Sequence, residues 1–137
     1  MSAARVERLD HVAMVVADFD GTVSVFTEVL GLECIRIGSL NREPSRRIAM
    51  IGDGTGFKLE LIEAPLDGGP ASGAELDHVA VRVSDVTESH RALSASGFES
   101  RRSPVRVEAA EAETAVLLAP NGLTVQIIRY DPSSPDV

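Results

Sequence analysis

The sequence predicts an α+β fold of two tandem βαβββ modules, and three observations carry that expectation. "LDHVAMVVAD" at 9–18 returns as "LDHVAVRVSD" at 76–85, an offset of 67 residues. Later landmarks keep nearly the same spacing: "GLE" at 31–33 matches "GFE" at 97–99, and Gly56 before "FKLELIE" matches Gly122 before "LTVQIIR", each offset by 66. Each copy alternates apolar residues like a strand, shifts to helical spacing, and then returns to three strand-like runs.

The first module spans 6–63. In its opening strand Val12, Met14 and Val16 share one face, while His11, Ala13 and Val15 share the other. Asp18 suits an N-cap, Phe19, Val23, Phe26 and Leu30 recur at helical spacing, and Gly31 suits the left-handed position that closes a helix. Strands follow at 32–40, 46–51 and 57–63. The "GDGTG" run at 52–56 reads as a hairpin turn, because it lacks the G-x-x-x-x-G-K-[ST] pattern and no helix follows it. Prolines and glycines in "APLDGGPASGA" mark 64–74 as a linker.

The second module spans 75–130. Asp85 and Glu88 have capping-box-like spacing, Val86 and Leu93 lie on one helical face, and Gly97 ends the helix. Strands are expected at 98–103, 113–118 and 123–130, with "PNG" at 120–122 turning between the last two. The tail, 131–137, is expected to fray.

Composition bounds the function. A chain of 137 residues suits one compact domain, and no apolar stretch reaches the roughly 20 residues of a membrane span. The N-terminal arginines precede no apolar segment of the secretory kind, so a cytoplasmic location is expected. Cys34 is the sole cysteine, which rules out an intrachain disulfide and fits a reducing compartment. A net charge of −8 without a basic stripe argues against nucleic acid and membrane surfaces as partners.

Four polar residues repeat at matching places. His11 and His78 head the first strand of each module; Glu60 and Gln126 sit within the last. Alternation turns Glu60 away from Leu59 and Leu61, and Gln126 away from Val125 and Ile127. A curved sheet made of two such modules would gather two imidazoles, one carboxylate and one amide on a concave face. That set suits a divalent cobalt, nickel, zinc, manganese or iron ion.

On "LDHVAMVVAD", "FTEVLGLE", "FKLELIE", "LDHVAVRVSD" and "APNGLTVQII" the chain resembles the vicinal oxygen chelate superfamily across about residues 6–130. Its overall look is nearest to methylmalonyl-CoA epimerase and glyoxalase I. The resemblance implies a curved, partly open eight-stranded barrel-like sheet around a metal held by His11, Glu60, His78 and Gln126. It also implies a homodimer and a small-molecule substrate, an anionic thioester or thiol conjugate among them. The activity implied is isomerase, epimerase or lyase chemistry, in which a proton is abstracted next to a carbonyl and the enolate is held by the metal. Alternatives within the resemblance are a non-enzymatic small-molecule binding protein of the bleomycin-resistance type and a dioxygenase.

Gln126 departs from the glutamate usual among such enzymes, and an amide oxygen can coordinate a metal without serving as a general base. Glu60 is therefore one candidate base; Glu43, expected in a loop between the second and third strands, is another, because its spacing before "LELIE" resembles that of an acid/base glutamate in methylmalonyl-CoA epimerases. Arg82 shares the site face with His78 and is expected to hold a substrate carboxylate or pair with Glu60. Arg42, Arg46, Arg47, Arg101, Arg102 and Arg106 cluster in matching loops that could steer an anion. His90 is expected to sit at a helix boundary without a chemical role.

Overall fold

The computed structural model describes residues 5–137. Its strands are β1 (Val6–Val16), β2 (Glu33–Leu40), β3 (Glu43–Gly52), β4 (Lys58–Glu63), β5 (Ala74–Val83), β6 (Glu99–Val107), β7 (Ala112–Leu118) and β8 (Thr124–Tyr130). Helix α1 (Phe19–Ser24) follows β1, and α2 (Val86–Ala95) follows β5. The strand order is β2-β3-β4-β1-β5-β8-β7-β6, so the two βαβββ modules and eight strands read from the sequence are present. The chain divides into two compact units, His11–Asp77 and a second formed by His78–Val137 with the residues up to Asp10.

In the His11–Asp77 unit, β1 pairs parallel with β4, from His11↔Lys58 to Val16↔Glu63, and β4 pairs antiparallel with β3. Period-two alternation sorts these strands into two apolar faces. Val16, Ala49, Ile51 and Leu61 pack with Phe19, Val23, Phe26 and Leu32 of the helical segment and its exit. On the opposite face Ala13, Val15, Leu40, Ile48 and Ile62 form a separate buried cluster. Burying an Ile or Leu side chain contributes about 1.5–3 kcal/mol. Both faces of this unit therefore contribute to its stability.

Helix α1 begins where Asp18 accepts a hydrogen bond from the Gly21 backbone N–H at 3.0 Å. It passes into a π-helical turn over Val25–Val29, closed by Leu30 N–H donating to Val25 C=O at 3.0 Å. The wider turn rotates less per residue. Leu30, expected on the packed stripe, instead stands 58% exposed, and Leu32 packs in its place. Gly31 has φ +73°, the left-handed closure expected of it.

In the other unit β5 pairs parallel with β8 through Ala80↔Gln126, and β8 antiparallel with β7. Val83, Val86, Ala115, Leu117 and Ile127 form the core under α2, whose N-cap Asp85 accepts from the Glu88 N–H at 3.0 Å. The opposite face holds Ala110, Ala112, Ile128 and Tyr130. Registers repeat between copies: Ile48↔Ile62 and Met50↔Glu60 correspond to Thr114↔Ile128 and Val116↔Gln126.

Three expectations need correction. Strand β3 starts at Glu43, not 46, because Glu43 pairs with Leu40 across a tight turn. Strand β6 continues to Val107 through Pro104, which an edge strand tolerates because one side of its backbone needs no ladder partner. The tail is packed: Ser134 and Asp136 are buried, Ser134 Oγ donates to Ala110 C=O, and Ser133 Oγ donates to Glu111 at 2.6 Å. Its hydroxyls meet acceptors left open by the β6–β7 turn.

Candidate metal centre

The parallel register of β1 and β4 sets His11 and Glu60 on one face, and His11 Nε2 lies 3.3 Å from Glu60 Oε1. His11 is only 3% exposed. The face turned away from α1 is therefore not a solvated one, as alternation alone would suggest. Ala13, Val15, Ile48 and Ile62 make it apolar, and polar groups placed there need partners.

Lys58, the only lysine of the chain, is 2% exposed and lies on the same strand face as Glu60. Sequence reasoning passed over it. The available signal was its place two residues before Glu60, where alternation turns both side chains the same way.

On β5 and β8, His78 and Gln126 are half-buried. Gln126 Nε2 donates to Thr114 Oγ1 at 2.8 Å, and Thr114 is fully buried. The His11–Asp77 unit thus carries His11 and Glu60 as one pair of candidate ligands, and the other unit carries His78 and Gln126 as the matching pair. Two imidazoles and a carboxylate are borderline-to-hard donors that fit a divalent first-row metal and leave coordination positions open.

Arg82 Nε donates to Asp10 Oδ1 at 2.8 Å, and its guanidinium carbon lies 5.0 Å from the centre of the Tyr130 ring. Tyr130 also donates its hydroxyl to Asp10 Oδ2 at 2.6 Å, and Asp10 is fully buried. Burial first, and then the Asp10 charge, push the Tyr130 phenol well above the ordinary tyrosine range. Arg82 Nη2 is buried without a hydrogen-bond partner.

Glu43 lies on strand β3, where its carboxylate meets Arg46 at 2.9 Å. With Ser45, Arg46, Glu63 and Asp67 it lines a groove of about 490 Å³ that includes neither His11 nor Glu60. Other arginines of the loop clusters are engaged by acids: Arg47 by Asp20 and Glu63, Arg42 by Asp77, Arg106 by Glu108 and Asp131. Hydrogen bonds from Arg47 hold the Glu63 carboxyl below the usual carboxylate range. His90 bonds Ser100 across α2 and β6 at 2.8 Å.

A model of the glyoxalase/bleomycin resistance protein/dioxygenase superfamily matches residues 8–127. A probable lactoylglutathione lyase of Vibrio parahaemolyticus is 25% identical over 130 residues, covering 93% of this chain and 94% of the relative. The crystal structure of methylmalonyl-CoA epimerase from Mycobacterium tuberculosis superposes with TM-score 0.74 at 23% identity, covering 96% of this chain and 93% of that one. A methylmalonyl-CoA epimerase bound to methylmalonyl-CoA and NH4+ superposes with TM-score 0.75 at 22% identity, over 94% of this chain and 98% of the other.

Proposed function

The chain belongs to the glyoxalase/bleomycin resistance protein/dioxygenase superfamily, and within it we propose a metal-dependent isomerase, epimerase or lyase that removes a proton next to a carbonyl. The observation that carries this reading is the His11–Glu60 pair, with His11 Nε2 3.3 Å from Glu60 Oε1. In the proposed site His11, Glu60, His78 and Gln126 are the ligands. A bound divalent ion would stabilise negative charge developing on a substrate oxygen and orient a neighbouring oxygen.

The protein groups supply the rest. His11 and His78 would each coordinate through one imidazole nitrogen. Ala13, Val15, Ile48 and Ile62 limit water on the face that bears Glu60, which strengthens electrostatic interactions there. Glu60 is the first candidate to accept the proton, because Gln126 has no basic lone pair to receive it. Glu43 is the second, and would first have to leave Arg46. Arg82, anchored by Asp10 through one nitrogen, keeps Nη2 for a substrate carboxylate.

Protein purified without chelator should contain cobalt, nickel, zinc, manganese or iron near stoichiometrically. Less than about 0.2 ion per chain, with no uptake of added metal, would overturn the proposal. Solvent deuterium should exchange into methylmalonyl-CoA or into the hemithioacetal of glutathione. The amide at Gln126 also favours a second reading, ligand sequestration without turnover. Metal-loaded protein that binds either compound but exchanges no deuterium would support it.

A further inference from the structure

The two copies place different neighbours beside equivalent side chains. Ile48 and Thr114 occupy matching registers, opposite Ile62 and Ile128, two register positions from Glu60 and Gln126 and so on the same face. Where the site residue is a carboxylate, its neighbour is apolar. Where it is an amide, the neighbour carries a hydroxyl that accepts the amide N–H at 2.8 Å. The chemistry accounts for the difference. A carboxylate only accepts hydrogen bonds, whereas an amide brings N–H donors that are costly when buried unmet.

We propose that Thr114 is a positioning residue for Gln126: it holds the amide nitrogen to one side and presents the carbonyl oxygen as a ligand, so that this half of the site is built for glutamine. The inference rests on the reading of Gln126 as a ligand. Thr114 is fully buried on β7 and would act only through Gln126.

Cobalt(II) affinity and the visible spectrum of the loaded protein provide one test, and proton NMR of the metal-free protein provides another. Gln126 is the only glutamine, so its side-chain amide protons are readily assigned. Thr114→Val should weaken cobalt binding about 10–100-fold, the usual effect of losing a partner that orients a ligand. It should also remove the exchange protection of the Gln126 amide protons, and Thr114→Ser should restore both. In a Gln126→Glu background the valine change should alter affinity less than about threefold, since a carboxylate has no N–H to strand.

Equal losses in both backgrounds, or unaltered binding by Thr114→Val, would overturn the inference while leaving the metal site standing. Wild-type protein that takes up no cobalt would overturn both.

Discussion

Exchange of Asp10 for asparagine probes a buried charge cluster. The fully buried Asp10 carboxylate receives the Arg82 Nε–H at 2.8 Å and the Tyr130 hydroxyl at 2.6 Å. Hydrogen bonds to charged groups contribute about 1.5–3 kcal/mol each, and asparagine keeps one carbonyl acceptor in weakened form. The substitution also leaves the Arg82 guanidinium, 16% exposed, without its counter-charge. Breaking one side of a buried pair usually costs about 3–5 kcal/mol, a figure that already contains the lost hydrogen bonds. Retention of one acceptor places Asp10→Asn at the lower end, about 3 kcal/mol. With a urea m-value of about 2 kcal/mol/M the unfolding midpoint should fall by about 1.5 M. The paired change Asp10→Leu with Arg82→Met should destabilise less than Asp10→Asn alone, because it strands no charge. A midpoint within about 0.3 M of wild type would refute the reasoning, since it would mean that the carboxylate is not compensating a buried cation.

Alkaline titration offers a second test, because Tyr130 is the only tyrosine and the chain lacks tryptophan. Its phenol should resist ionisation above pH 10 in the folded state while the unfolded chain loses the proton there, so stability should fall as pH rises beyond about 10. Tyr130→Phe should abolish that slope, as read by near-ultraviolet absorbance and by urea melts at each pH; an unchanged slope would contradict the assignment. At the start of α2, Asp85→Ala should cost about 1 kcal/mol, measured by thermal unfolding, because it removes the acceptor of the Glu88 N–H. A loss below about 0.3 kcal/mol would indicate that the cap is not formed in solution.

The sequence made the fold readable because its copies repeat their turns, caps and strand periods nearly in step. Asp18, Asp85, Gly31 and Gly97 took the expected cap and closure positions, since those depend on local backbone chemistry. Alternation likewise placed His11 with Ala13 and Val15, and Glu60 opposite Leu61. What stayed hidden depends on partners distant along the chain. Tyr130 and Asp10 meet across 120 residues, and Arg82 and Asp10 across 72, so neither contact had a local signature. Lys58 escaped notice because burial of a lone lysine follows from the apolar residues around it, not from its own strand pattern. The π-helical turn was invisible to a 3.6-residue template, which carried Leu30 onto a stripe that Leu32 completes instead.

Asp10 also bears on how far the repeat has ceased to be modular. A fragment beginning at Ala74 would retain the whole second βαβββ pattern, yet it would lack the one acid that meets both Arg82 and Tyr130. Part of the later copy's charge balance thus lies in the first strand of the earlier one, and Asp77, the equivalent acid of the later copy, pairs with Arg42 of the earlier. Scission alone therefore does not yield a self-sufficient half; the fragment would need Asp10 supplied as a separate peptide or a new acid placed beside Arg82 and Tyr130.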